Sequence, residues 1–286
     1  MFTPQVLLSA PRRSAGVPNA NGTRVLYTVS TYSFETHKKT TELRCLDVKS
    51  KESTLVTDED GVSEPVWLEE DGDSFVCLRS GEKGSTEVVI ASVGEGRWKD
   101  AHTAGKIDAP ASSLKLCKLP NDSYAVVLAA QSYPDGSIYN PEKASKAQST
   151  GKLYKSLFVR HWDTYVGEER NSLWYGTLSK GKDEKHSLSQ LVNALKGTSL
   201  ESPVPPFGGT DSFDVSCRYV ADSNFLPSFR ESSIHHFQWD SLRIQGPPSK
   251  SGLEHEVQHL LHQAVLVHGR TSARANPVHT HRLPRS

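Results

Sequence analysis

Strand-forming runs recur along the first half of the chain, each closed by a polar turn. Residues 24–32 are rich in β-branched and aromatic side chains. In residues 42–48, Leu43 and Cys45 alternate with Glu42 and Arg44, the period-two pattern of a strand with one buried face. Residues 52–57 make a third strand, and Asp58, Glu59, Asp60 and Gly61 supply turn chemistry after it. The cycle then repeats. Residues 65–68 lead to a turn at 70–73, followed by strands at 74–79 and 86–92. In the third round, residues 114–117, a turn at 120–122 and residues 124–129 fall in the same order, with further strand pattern at 172–178. Residues 188–192 read as a short strand or a helical turn.

The turns Asn21-Gly22-Thr23, Asp71-Gly72-Asp73 and Asn121-Asp122-Ser123 are spaced by about 50 residues, and three or four short strands per repeat of that length is the mark of a β-propeller blade. A blade cannot bury both of its faces alone and needs neighbours. The expected fold is therefore all-β: a partial N-terminal β-propeller of about three to four blades over residues 1–216. A Greek-key sandwich is the alternative. The pattern lapses at 131–151, where Pro141 opens what reads as a short polar helix over 141–147. Residues 154–166 follow, dense in aromatic and β-branched side chains, with Arg160, His161 and Asp163 among them. Those three are read as structural partners packed within one strand-like segment. Three prolines and two glycines make residues 201–209 extended.

Composition narrows the function classes. The 33 basic and 33 acidic residues balance, which argues against nucleic acid as a partner. No apolar run approaches the ~20 residues that span a bilayer, so no membrane is expected either. The first thirteen residues lack the apolar core of a signal peptide, which reads literally as a cytosolic product, or as a mature sequence or one that has lost its start. Cys45, Cys77, Cys117 and Cys217 are far apart with no C-x-x-C pair; Cys45 and Cys77 fall in apolar strands as buried thiols. No cofactor is implied.

Residues 154–166, with their core Ser-Leu-Phe-Val-Arg-His-Trp-Asp-Thr-Tyr at 156–165, resemble dipeptidyl-peptidase V, a fungal secreted serine peptidase among the prolyl oligopeptidase-like enzymes. Residues 9–13, 27–34 and 201–209 share the likeness, which covers about residues 2–216. The resemblance implies an N-terminal propeller followed by an α/β-hydrolase domain with a Ser-Asp-His triad. It further implies removal of N-terminal dipeptides from peptides with free N-termini, with the propeller restricting access by size, and it implies secretion. It also gives weight to two glycosylation sequons at turns, Asn21 and Asn121.

After Ser216 the likeness stops, and residues 217–286 read as a non-family tail, irregular and partly helical. Eight of the twelve histidines lie there, and the last seventeen residues hold no carboxylate. His255 and His259 fit H-E-x-x-H around Glu256, the spacing that puts two zinc ligands on one helix face with a general base between them. A third ligand is lacking: the metzincin positions hold His262 and Val265, and no carboxylate follows Glu256. No G-x-S-x-G nucleophile elbow occurs, so the α/β-hydrolase domain is absent from these residues and no catalytic or metal residue is assigned. Three readings remain: a propeller fragment of a dipeptidyl-peptidase, inactive alone; a non-catalytic propeller-type interaction protein; and a zinc hydrolase through His255 and His259.

Overall fold

In the computed structural model, the described residues are 3–69, 72–94, 97–119, 122–145, 149, 151, 154, 157, 159–198, 200–216 and 241–244, with His161, Ser216 and 241–244 described by backbone alone. A helix that the sequence pattern did not reveal, α1 (Pro4–Ser9), opens the chain. Thr3 caps it by accepting from the Val6 amide, and Pro4 sits in its first turn.

Three antiparallel sheets follow in chain order. The first holds β1 (Arg12–Arg13), β2 (Val17–Pro18), β3 (Arg24–Ser33), β4 (Lys38–Asp47) and β5 (Ser53–Thr57). β1 and β2 pair with one edge of β3 and together make a broken first strand. The second sheet is an uninterrupted meander of β6 (Val62–Trp67), β7 (Ser74–Ser80), β8 (Thr86–Val93) and β9 (Trp98–Ile107). The third begins with β10 (Ala111–Leu119) and β11 (Ser123–Ser132). The small hairpin of β12 (Arg160–His161) and β13 (Thr164–Tyr165) then stands apart before the sheet resumes with β14 (Arg170–Lys180). β15 (His186–Leu188) and β16 (Val192–Asn193) both pair with β14, a broken fourth strand. β17 (Phe213–Ser216) pairs with β18 (Ser241–Ile244), so a strand does form within the tail.

Each of the three sheets is thus four strands wide in simple sequential order, the layout of a propeller blade, and the chain is a partial propeller. The recurring turns noted in the sequence all fall between the first and second strand of a blade. Gly22 and Gly72 supply the left-handed backbone there, at φ of 70° and 75°. Asn121 lies outside the described residues.

A second repeat was hidden from the sequence pattern. The first strand of every blade carries one residue more than its partner. Arg13 to Val17 spans the partners Val29 to Leu26, Ser63 to Val66 spans Leu78 to Val76, and Ser112 to Lys115 spans Ala129 to Val127. Glu64 and Ser113 take positive φ, 51° and 60°, to form two of these bulges. The bulges also join blades, because Glu64 Oε2 accepts from the Leu114 amide at 2.7 Å.

Side-chain burial explains why some runs alternate and others do not. Leu26, Leu43, Cys45 and Val56 of the first sheet meet Val62, Trp67, Phe75, Cys77, Val89 and Ala91 of the second. The opposite face of the second sheet, with Val76, Leu78, Val88 and Ile90, meets Tyr124, Val126, Leu128, Trp174 and Leu178 of the third. The far face of the third sheet, with Val127, Ala129 and Leu173, is covered by Phe213 of β17. Lys115 reinforces that contact by donating to the Phe213 carbonyl at 2.7 Å and lying over its ring. A strand covered on both sides is apolar throughout, as in β7 and β11, whereas β4 packs on one side and alternates.

Two expectations need correction. The helix over residues 141–147 is one turn in its described part: the Ala144 and Lys143 amides donate to the Asn140 carbonyl at 2.9 and 3.1 Å, and the turn does not propagate. Residues 188–192 divide between the end of β15, a break and the start of β16. Among the described residues, no helix is long and apolar enough to cross a membrane.

Replacing Glu64 with alanine leaves the half-buried Leu114 amide without its acceptor, and a loss of about 1–3 kcal/mol in urea unfolding is expected. Glu64→Gln, which keeps a carbonyl oxygen, should retain most of that stability. Equal losses in the two variants would show that the bond between bulges contributes nothing.

Candidate functional site

The longest connection within a blade runs from β11 to β14 and carries the aromatic stretch singled out in the sequence. Its base is pinned. Tyr133 and Tyr139 pack edge to face at 5.0 Å, and buried Asn140 donates to the carbonyls of Lys83 and Asp108 at 2.9 and 3.1 Å, tying the connection to the second blade. Lys143 pairs with Asp108 beside it.

Beyond that base, β12 and β13 form a tight hairpin whose turn residue Trp162 has φ 52°. The ladder extends through the Val166 amide, which donates to the Val159 carbonyl at 3.0 Å. Tyr154 stacks on Tyr165 at 6.1 Å, and Trp162 meets Phe207 edge to face at 6.0 Å.

Facing the hairpin are residues 201–209, extended in part as expected, with cis peptide bonds at Ser202–Pro203 and Pro205–Pro206. Asn171, near the start of β14, holds this segment at three points. Its amide donates to Glu201 Oε1 at 3.1 Å, its carbonyl accepts from the Ser202 amide at 3.2 Å, and its side chain donates to the Pro203 carbonyl at 2.8 Å.

Between hairpin and proline-rich segment lies a cleft of about 780 Å³, lined by Trp162, Tyr165 and Phe207 together with the carboxylates of Asp163, Glu169 and Glu201. A smaller hollow of about 220 Å³ includes Ser112 and Ser113 of the β10 bulge, with Asn171 and Pro203; Gln131 lines both cavities. Arg170 lines the cleft as well, but its guanidinium already donates to the carbonyls of Gly167 and Glu169 at 2.7 and 2.8 Å. Among the described residues, none of the three carboxylates is in an ion pair.

This geometry overturns the reading of Arg160 and Asp163 as partners packed inside a blade. Both are exposed on the hairpin, no ion pair joins them, and Asp163 accepts from the Thr164 hydroxyl instead. The His161 side chain lies outside the described residues. Trp162 is 74% and Phe207 81% exposed, because the stretch sits in a connection rather than a sheet and the core positions of this blade are taken by β11 and β14. The density of large apolar residues marked an element; it could not say that the element stands outside the core.

Other sequence candidates fall as follows. Asn21 is exposed, and its Oδ1 accepts from both the amide and the hydroxyl of Thr23, at 3.1 and 2.6 Å. Cys45 and Cys77 are free and buried, as expected. Burial pushes the Cys77 thiol up to about 12 and raises Cys45 as well. Cys117 is disulfide-bonded, which the wide cysteine spacing did not disclose. His255 and His259 lie outside the described residues, among which no cluster of three or more metal-ligating side chains occurs.

A structure built of consecutive four-stranded meanders with an aromatic cleft in one connection defines a partial propeller with a cleft beside its third blade. Comparison with known proteins specifies the class further. No protein-family model matches the chain. It is 38% identical over 219 residues to the probable dipeptidyl-peptidase 5 of Aspergillus terreus, covering 75% of this chain and 30% of that protein. It is 35% identical over 265 residues to dipeptidyl-peptidase 5 of Aspergillus fumigatus, covering 87% and 36%. By sequence the chain is related to an N-terminal part of dipeptidyl-peptidase 5, and it spans about a third of the length of the curated relatives it matches. The 87% covered is more than residues 1–216 supply, so that alignment runs on past Ser216.

Among solved structures, Pyrococcus horikoshii acylaminoacyl peptidase is similar at 8% identity and a TM-score of 0.43, over 65% of this chain and 26% of that one. The β-propeller domain of the Trilobed protease from Pyrococcus furiosus is similar at 10% identity and a TM-score of 0.38, over 64% and 43%.

Trp162→Ala should leave unfolding stability within about 0.5 kcal/mol of the parent, as for an exposed side chain. Trp174→Ala, which empties a buried position, should cost about 3–5 kcal/mol. Denaturant titration of the two variants side by side separates the cleft from the core; comparable losses would return the aromatic stretch to a packing role.

Proposed function

We propose that this chain supplies the propeller part of a dipeptidyl-peptidase 5, with residues 1–216 at its centre. The observation that carries this reading is the sequence relationship to the Aspergillus enzymes, held along a chain that folds as consecutive propeller blades. In the whole enzyme, dipeptides would leave the free N-terminus of a peptide through an acyl-enzyme formed on a serine, with a histidine as base and an oxyanion hole. The propeller would limit by size which peptides reach that centre. None of the 286 residues forms a G-x-S-x-G elbow, so the chemistry is assigned to a hydrolase domain and not to the blades.

The purified chain is expected to release no dipeptide from a chromogenic dipeptide substrate. Turnover that survives a purification tag exchange and scales with the chain would sink the proposal.

Secretion follows from the same reading and has a support in the chain, an exposed sequon turn at Asn21. Expressed through a secretory pathway, the chain should carry glycans at Asn21 and Asn121. Each Asn→Gln variant should then gain mobility on a gel, and the double variant should match enzymatically deglycosylated parent. Unchanged mobility of all variants would remove both sites.

A non-catalytic interaction protein is the second reading, favoured by the exposed aromatic side chains of the cleft. It requires the isolated chain to be a stable monomer with a cooperative melt.

A further inference from the structure

The cleft beside the third blade combines features that the blades do not need for folding. Trp162 and Phe207 are held edge to face, so much of each ring surface remains in solvent. Burying either ring on a partner would recover apolar contact now forgone. Around them stand Asp163, Glu169 and Glu201, while the single guanidinium of the lining is turned toward backbone carbonyls. Exposed aromatic faces ringed by carboxylates that, among the described residues, form no ion pair favour one kind of ligand, a cation, since ring quadrupole and carboxylate charge attract it together. They disfavour phosphates and other anions for the same reason.

The walls also constrain the ligand's shape. Pro203, Pro205 and Pro206 carry no N–H, so the proline-rich wall cannot add a partner strand in the manner of an exposed sheet edge. Recognition must come through side-chain surfaces. The proline-rich wall of the cleft is anchored through Asn171, which reduces the ordering cost of binding on that side. With a cleft of about 780 Å³ and a second hollow sharing Gln131 beside it, the trough suits an extended chain of several residues better than a lone small ion.

We propose that this cleft is a peptide-binding subsite on the propeller that selects cationic, aromatic-compatible segments of a substrate. The cation is a lysine or arginine side chain. It lies against Trp162 and Phe207, and Asp163, Glu169 and Glu201 set its charge preference. The inference rests on the peptidase reading above and adds to it a site, held by the propeller, that acts before the chemistry.

The test uses the full 286-residue chain and a peptide Ala-Lys-Phe-Lys-Ala labelled with fluorescein at its C-terminus, followed by anisotropy. Saturable binding is expected, weakened about fivefold or more by Trp162→Ala, and weakened by added salt of about 0.5 M. The double variant Asp163→Asn with Glu169→Gln should lose charge selectivity, binding the lysine peptide and its glutamate counterpart Ala-Glu-Phe-Glu-Ala alike. Circular dichroism of each variant establishes that it is folded.

Equal affinity of the parent for the two peptides, indifference to Trp162→Ala, or no binding up to about 1 mM would overturn the subsite. Those results leave the family assignment untouched, because dipeptide release by the isolated chain is read in a separate assay. Release of dipeptides there would remove the fragment reading without altering the anisotropy result.

Discussion

Phe75 and Cys77 face one way from β7 while Val76 and Leu78 face the other, and all four are fully or almost fully buried. A sheet of this kind has no solvent side. Each large apolar side chain left uncovered would forfeit about 1.5–3 kcal/mol, so the second blade is stable only between neighbours. The first and third blades provide them, and the hydrogen bonds between blades align the stack. Trp67 donates to the Val17 carbonyl at 2.7 Å, Asn19 to the Gly72 carbonyl at 3.0 Å, and the Glu69 amide to the Tyr124 hydroxyl at 3.0 Å. β17 continues the series by covering the far side of the third blade with Phe213.

This arrangement explains what could be read from the chain in advance. Turns with Asn, Asp and Gly recur because each blade needs the same tight reversal between its first two strands, and continuous apolar runs at β7, β8 and β11 mark sheets covered twice. β9 was invisible: its Lys99, Asp100, His102 and Lys106 belong to an outer strand whose pairing with β8, not its own side chains, places it. The split strands at the start of the first blade and the end of the third were equally hidden, because two-residue pairings leave no period to detect. The bulges escaped for a different reason. An inserted residue shifts register without changing composition, and only the partner strand reveals it.

The cleft was legible in composition and misleading in placement. Large rings and charges crowded into a dozen residues are equally suited to a core strand and to a binding hairpin, and the two differ only in what the rest of the blade has already filled. Here β11 and β14 pair directly over ten positions, from Ser123 opposite Ser179 to Ser132 opposite Arg170, and leave no room for an intervening strand. The aromatic segment is consequently displaced to the end of the sheet. Its exposed rings stand outside the packing that keeps the blade folded. A site can therefore vary there at little cost to the scaffold.

The thiol of Cys77 gives the stacking a kinetic aspect. It is fully buried between the first and second blades, in the same cluster as Cys45, and its pKa near 12 keeps it protonated wherever the interface is closed. Only the thiolate reacts with alkylating agents. Modification of these two sulfurs must therefore wait for the first blade to part from the second, and it is blind to separation of the second from the third. The chain carries its own clock for the opening of one seam.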